Sequence, residues 1–324
     1  MRHPEPEPIV IGCAANARYA LPLAVTLRSA LANLDPRRRL DIYVVADGIE
    51  ASDQQRVACS LSARATVHWL RPQRSGFSGL PLWGRMSIAT YDKLAIAELL
   101  PRAVRKIIWI DSDLLVLGDV AQLWDLDTAE HHVLAAQDVI VPHIASRFGV
   151  AAYEELGVDG DAKYFNAGVM VINVALWRQE DIGRQALAYL KRYRDRVFFW
   201  DQEGLNAVLA GKWGEIDPRW NWNVSIDRLP LASWVRKESA DPRIVHFTGH
   251  LKPWRYHGGS AHHALYFRYL DMTSWVGWRP RRDWRSAAIS LYESSLLRRL
   301  CYPAEGWGMQ LLRAVTLRNA SGEE

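Results

Sequence analysis

Lys106–Asp113 reads KIIWIDSD. Ile107 to Ile110 form a short apolar run with no polar face, the pattern of a strand buried on both sides. Asp111-Ser112-Asp113 follows at once. Side chains of an extended chain alternate with period two, so Asp111 and Asp113 project to the same side. In open α/β sheets ligands sit beyond the carboxyl ends of the strands, and these two carboxylates stand at such an end.

The flanking sequence repeats strand and helix. Upstream, Ile9–Ala15 and Leu40–Ala46 are apolar runs, and Val67–Leu70 is a third. Between the first two, Leu23, Leu27, Ala30, Leu31 and Leu34 recur at helical spacing, and Asp35-Pro36 ends that helix. Tyr91–Leu100 reads as a helix stopped by Pro101. Downstream, Val133–Ala136, Gly168–Val174 and Arg243–Phe247 are strand candidates, and Leu176–Tyr193 and Gln202–Ala210 read as helices. Strands alternating with helices predict an α/β fold with a mostly parallel central sheet.

The 324 residues, 49% of them hydrophobic, suffice for one large core or a core with a small appendage. The charge of +4 comes from 40 basic against 36 acidic residues, too even a balance to demand nucleic acid. Cys13, Cys59 and Cys301 are scattered and odd in number, which argues against a disulfide scaffold or zinc ribbon and for a reducing, cytoplasmic setting. The proline-rich start, MRHPEPEPIVIG, lacks a signal-type apolar core, and no apolar stretch is long enough to span a bilayer. After about residue 258 the sequence turns to Trp, Arg and short amphipathic segments, so the expected division is a catalytic domain over 1–258 and a small helical tail over 259–324.

Two carboxylates on one side of a strand end suit a hard divalent ion such as Mn²⁺ or Mg²⁺. Asp-x-Asp also occurs at Asp125–Asp127 and Asp159–Asp161, but those copies sit in polar turns and read as solvated caps. His246 closes the Arg243–Phe247 run within HFTGHLKPW and reads either as a third ligand or as a hydrogen-bonded core histidine. Lys252 follows closely and can neutralise a phosphate as a point charge. Gly249 permits a close backbone approach to that phosphate, or is a plain turn glycine.

Six segments occur in order: IVIGCAANARYALPLAVTLRSAL, MSIATYDKL, IIWIDSDLLVLGDVAQLWD, YFNAGVMVINVALWR, DQEGLNAVL and HFTGHLKPW. Together they resemble the retaining glycosyltransferases of family 8, over roughly residues 8 to 258. That resemblance implies a single nucleotide-sugar-binding domain, the A-type glycosyltransferase fold, with Mn²⁺ as the usual cofactor. It implies Asp111, Asp113 and His246 as metal ligands and Lys252 and Gly249 as diphosphate contacts. Asn166, Ala167 and Gly168 are implied at the donor sugar and ribose, Lys93 at the donor sugar, and Ser112 among the donor contacts. Asp201 and Gln202 match the acid and amide beside the anomeric carbon, and Asp138 aligns with an acceptor contact. At the nucleotide end, Ala14, Ala15 and Tyr19 fit a uridine pocket. Asn16 stands where the family often has Asp, and Arg18 where it often has Asn; Asn16 can accept from the base, whereas Arg18 cannot.

The expected function is therefore transfer of glucose or galactose from a UDP-sugar to the hydroxyl of a cell-surface glycan or glycolipid. A catalytically silent nucleotide-sugar-binding protein is the alternative. An oxidoreductase of similar alternation would carry GxGxxG where GCAANA stands, and a P-loop enzyme would carry GxxxxGK[ST], which is absent. Between Trp275 and Arg318 eight arginines interleave with Trp275, Trp278, Trp284 and Trp307, and Ile289, Tyr292, Leu296 and Leu300 fall at helical spacing. This composition predicts either a helix lying on an anionic membrane surface or a cover for the catalytic domain.

Overall fold

The computed structural model describes residues 7–281, except 85, 129, 225–240, 250–251 and 256–261. Its elements, in chain order, are β1 (Ile9–Asn16), α1 (Ala20–Ala32), β2 (Leu40–Asp47), α2 (Ala51–Cys59) and β3 (Ala65–Leu70). Then come α3 (Ile96–Leu99), β4 (Lys106–Ile110), β5 (Leu114–Val116), α4 (Ala121–Trp124), β6 (Val133–Gln137) and β7 (Phe165–Asn173). The last are α5 (Val174–Gln179), α6 (Ile182–Arg192), α7 (Trp200–Leu209), β8 (Trp213–Glu215), β9 (Trp222–Asn223), β10 (Ile244–His246) and α8 (His262–Leu270).

Seven strands form one sheet in the order β3-β2-β1-β4-β7-β6-β8. The neighbours from β3 to β4 are parallel, as are β6 and β8, while β7 runs antiparallel to both β4 and β6. This mostly parallel sheet with helices on its faces is the expected α/β architecture. Burial on both faces explains the apolar runs: Ile107 to Ile110 are all buried, as are Ala167 to Ile172 of β7. One core gathers β1, β2 and α1; the other gathers α6, α7 and the opposite face of β4 and β7.

A three-stranded sheet, β5-β10-β9, stands beside the large one and brings distant parts of the chain to the end of β4. Its anchor on α1 is polar. Thr26 Oγ1 donates to the Leu114 carbonyl (2.8 Å) and accepts from the Leu114 N–H (3.2 Å), and Ser29 Oγ accepts from the Val116 N–H (3.0 Å). Thr26 and Ser29 are fully buried, so these bonds satisfy groups that would otherwise destabilise the core.

Three expected elements differ in detail. The Leu176–Tyr193 helix is two helices, because Asp181 adopts a left-handed conformation (φ 51°) between α5 and α6. The Tyr91–Leu100 helix is a 3₁₀ stretch over Ile88–Ala95 that runs into the single turn of α3. β7 begins at Phe165, three residues ahead of Gly168, because the YFNAG segment is already paired to the sheet through Phe165 and Gln137.

The expected boundary near residue 258 falls among residues 256–261, outside the described residues. Beyond it, α8 lies against the core that holds α1: Tyr266, Leu270 and Trp275 are buried there. Arg56 stacks over Trp275 at 4.0 Å, and Arg279 pairs with Asp271 at 2.6 Å. Of the expected Trp/Arg membrane surface, Trp275 is thus buried in the core, while Arg279 makes a surface ion pair. Trp278 is partly exposed, and Trp284 to Arg318 lie outside the described residues.

Candidate active site

At the end of β4 the Asp111 N–H still pairs with the Gly168 carbonyl of β7 (2.9 Å), so the first aspartate is held in sheet register. Trp109 Nε1 donates to Asp111 Oδ1 (2.9 Å). The chain then turns through the buried Ser112, and the Asp113 carbonyl accepts from the Phe247 N–H (3.1 Å). The antiparallel pairing of β5 with β10 places His246 opposite Leu114, which sets the imidazole beside the two carboxylates. Ligand atoms of Asp111, Asp113 and His246 all lie within 4.8 Å of one another. Two carboxylate oxygens and an imidazole nitrogen form a donor set that suits a hard or borderline divalent ion. Gly168 makes room for the imidazole: a Cβ there would stand 2.2 Å from His246 Cε1.

Two buried lysines answer the two aspartates. Lys93 Nζ lies 3.1 Å from Asp111 Oδ1, 2.8 Å from Asp201 Oδ2 and 3.1 Å from the Ala167 carbonyl. An ammonium has three donors, and these three acceptors use them all. Lys93, read as a donor-sugar contact, is here the tie between the strand-end acid and the acid of α7. Burial opposes its charge, but Asp111 and Asp201 outweigh burial and push the ammonium above its ordinary range. α6 fixes this stretch from outside: Gly183 packs so close to the Leu94 carbonyl that a Cβ would stand 1.9 Å from it. Lys252 donates to Asp113 Oδ2 and to the Phe247 carbonyl. Gly249, in the turn leading to it, takes a positive φ of 69°, which L side chains resist.

The same strand end thus holds two differently tuned acids. Burial raises the Asp111 carboxyl, with Asp113 and Asp201 adding to the effect against Lys93 and His246. Burial acts on Asp113 as well, but Lys252 and His246 outweigh it and hold that carboxyl well below the usual range.

Asp201 and Gln202 form the first turn of α7. Thr90 Oγ1 donates to Asp201 Oδ1 (2.5 Å). Gln202 Oε1 accepts from the Ala167 N–H (3.1 Å), and its Nε2 donates to Asp138 Oδ2 (3.1 Å). Glu203, fully buried, secures the entry to α7 by accepting from the Phe198, Phe199 and Ala151 N–H groups and from the Tyr189 hydroxyl. Burial pushes its carboxyl up against those bonds.

Asp138, aligned as an acceptor contact, is buried and receives four hydrogen bonds. Besides Gln202 these come from the Ile140 N–H (2.8 Å), the Val141 N–H (2.9 Å) and Asn166 Nδ2 (2.8 Å). Asn166 Oδ1 accepts from the Gly168 N–H (3.0 Å) and from Asn221 Nδ2 (2.8 Å), and Asn221 Oδ1 lies 2.9 Å from His246 Nδ1.

The nucleotide-end residues are less gathered. Asn16 Oδ1 accepts from the Arg18 N–H (3.0 Å) and so caps the short 3₁₀ turn after β1. Ala14 packs against the core of β4 and β7. Tyr19 meets Trp254 edge-on at 5.7 Å, and its phenol, raised mainly by burial, feels Lys252, Asp113 and Asp111. The other two Asp-x-Asp copies are turn and cap residues: Asp125 ends α4, and Asp159 Oδ1 accepts from the Asp161 N–H. Thr90 and Asn221 were not singled out from sequence. Asn221 closes the 3₁₀ turn Pro218–Asn221, and no motif in the sequence marks it.

The sequence profile of Glycosyl transferase family 8 matches residues 10–258, most of the chain and every site residue above. The chain belongs to glycosyltransferase family 8. Among its relatives within and around the family, General stress protein A of Bacillus subtilis is 30% identical over 82% of this chain and 94% of its own length. Lipopolysaccharide 1,3-galactosyltransferase of Salmonella typhimurium is 26% identical over 78% of this chain and 75% of its own. The crystal structure of galactosyltransferase LgtC, solved with donor and acceptor sugar analogs, superposes with a TM-score of 0.72 at 25% identity, covering 82% of this chain and 96% of LgtC. The family 8 fold of the chain is therefore that of a glycosyltransferase. Among the described residues no helix is long and apolar enough to cross a membrane.

Proposed function

We propose that this protein transfers glucose or galactose from a UDP-sugar to a hydroxyl of a cell-surface glycan or glycolipid, with retention at the anomeric carbon and with Mn²⁺ as cofactor, Mg²⁺ being the alternative. The observation that carries the proposal is the juxtaposition of Asp111, Asp113 and His246 with Lys252 on one side and with Lys93 and Asp201 on the other. Three carboxylates and two ammonium groups leave one net negative charge when His246 is neutral, which favours a divalent cation, and that cation's charge in turn attracts a diphosphate.

Asp111, Asp113 and His246 hold the ion, and Ser112, Gly249 and Lys252 line the diphosphate. When bound, the metal supplies Lewis-acid stabilisation of the charge on the departing diphosphate. Lys252 adds its own positive charge to that end. Tyr19 and Ala14 receive the uridine, with Asn16 at the base. Asn166, Ala167 and Gly168 form the wall along ribose and sugar. At the other end, Asp201 faces the anomeric carbon and stabilises positive charge as the sugar passes through an oxocarbenium-like state. Gln202 adds an amide dipole there. In front-face attack the acceptor oxygen bonds to the anomeric carbon on the face that the diphosphate leaves, and a leaving phosphate oxygen takes the acceptor proton.

The lipopolysaccharide enzyme among the relatives supports a glycolipid acceptor. A cytoplasmic protein resting on the inner membrane face through its Trp/Arg-rich tail would meet such an acceptor. The test is a donor screen across UDP- and GDP-sugars, read as nucleotide release with and without acceptor glycans. UDP-glucose or UDP-galactose turnover giving an α-linked product by NMR is expected. A β-linked product overturns retention, and nucleotide release from GDP-sugars alone overturns the donor.

A further inference from the structure

We infer that Asn221 fixes the tautomer of His246, as the last link of a one-way chain of hydrogen bonds that begins at Asp138. The inference rests on the reading of His246 as a metal ligand and extends it to a positioning residue that the sequence did not mark.

The direction of every link follows from groups whose role is beyond choice. Backbone N–H groups only donate, and a carboxylate only accepts. Asn166 Oδ1 faces the Gly168 N–H (3.0 Å), so the oxygen of that amide is fixed there and its nitrogen must face Asp138 Oδ2 (2.8 Å). Gln202 is set the same way, its oxygen on the Ala167 N–H and its nitrogen on Asp138. Asn221 then meets Asn166 Oδ1, an acceptor, at 2.8 Å, and must present its nitrogen. Its oxygen is left for His246 Nδ1 at 2.9 Å, and an amide oxygen can only accept, so Nδ1 carries the proton. In neutral imidazole one nitrogen then remains a bare acceptor, and it is Nε2. Nε2 is the atom that faces Asp113 Oδ1, at 3.4 Å. Asp138, Asn221 and His246 are all buried, so solvent offers no replacement partner.

The consequence is that Nε2, and not Nδ1, is the nitrogen left to offer its lone pair to an ion beside Asp113. The same carboxylate that orients Gln202 beside Asp201 also orients, through two amides, the imidazole beside Asp113. Asp138 thereby couples the two ends of the site without touching either the ion or the anomeric carbon.

The test uses the full-length protein with ¹⁵N-labelled histidine, free of metal, at a pH on the alkaline plateau of the His246 signals. His246 is assigned by loss of its signals in His246→Ala. The expected result is a protonated Nδ1 and an unprotonated Nε2. A protonated Nε2 in the wild type overturns the inference and needs no variant. Asn221→Leu removes the acceptor and is expected to mix the tautomers and weaken Mn²⁺ binding, measured calorimetrically without donor, by about 10–100-fold. Asn221→Asp keeps an acceptor opposite Nδ1 and is expected to retain the tautomer and to bind Mn²⁺ more tightly than Asn221→Leu. Asp138→Asn places an amide donor where donors converge, and is expected to lower Mn²⁺ affinity at a distance. If Asn221→Leu keeps both the tautomer and the wild-type affinity, the relay is wrong. If the wild type takes up no Mn²⁺ yet shows the protonated Nδ1, the relay stands and the metal reading falls.

Discussion

Asp111 and Asp113 are two residues apart, yet they belong to different regions of the site. On the Lys93 side the ammonium is locked among Asp111, Asp201 and the Ala167 carbonyl, in a stretch packed from behind by α6. On the Lys252 side the cation comes from the loop after β10, beside a glycine in left-handed conformation, and pairs with Asp113. Burial dominates the first acid and raises its carboxyl; at the second, burial is outweighed by Lys252, with His246 beside it, and the carboxyl is lowered. In the proposed reaction, one short motif serves two ends of the site. Lys93 holds the strand-end acid and the α7 acid at a fixed separation, at the proposed sugar end. Lys252, paired with Asp113, sits at the proposed diphosphate end.

The largest effect is expected from breaking the first region. Lys93→Met leaves Asp111 and Asp201 without their shared cation. Both Lys93 and Asp201 are buried, and loss of one partner from a buried ion pair costs about 3–5 kcal/mol. Chemical denaturation of the metal-free protein should show a loss of that order, partly recovered by added Mn²⁺. An unchanged unfolding midpoint would mean that the tie is not structural.

Next comes Asp201→Asn. The proposed role lies in the transition state, so kcat should fall about 100-fold or more, equivalent to about 2.7 kcal/mol, with the donor KM little changed. Steady-state kinetics that show a raised KM and normal turnover would reduce Asp201 to a binding residue. The smallest effect probes the second region. Gly168→Ala drives a methyl into the imidazole of His246 and should weaken Mn²⁺ by about 10-fold, the lower end for displaced metal-ligand support, while Asp113 and Lys252 stay paired. Calorimetric Mn²⁺ titration reads this, and wild-type affinity would mean that the ring is free to move.

Much of this fold is legible in the sequence because its central strands are buried on both faces and so appear as unbroken apolar runs, Ile107–Ile110 above all. β5, β8 and β9 are too short to leave a periodic signal. The break at Asp181 turns on a backbone conformation that residue type alone does not announce. In the site, Asp111, Asp113, His246 and Lys252 stand out by residue chemistry at strand ends. Lys93 does not: SIATYDK has no pattern that separates a buried ammonium from a solvated one, and only the family resemblance marked it. Asn221 carries neither charge nor motif, and its role depends on what it meets across the fold.

The most direct measurement is UDP release from UDP-glucose and UDP-galactose as Mn²⁺ is titrated into the chelator-treated wild type and into Asp113→Ala. The account predicts turnover in the wild type that rises from background with Mn²⁺ and returns to background with chelator. It also predicts background at every Mn²⁺ concentration for a folded Asp113→Ala. Full turnover in chelator, or a normal Mn²⁺ response from Asp113→Ala, would contradict it.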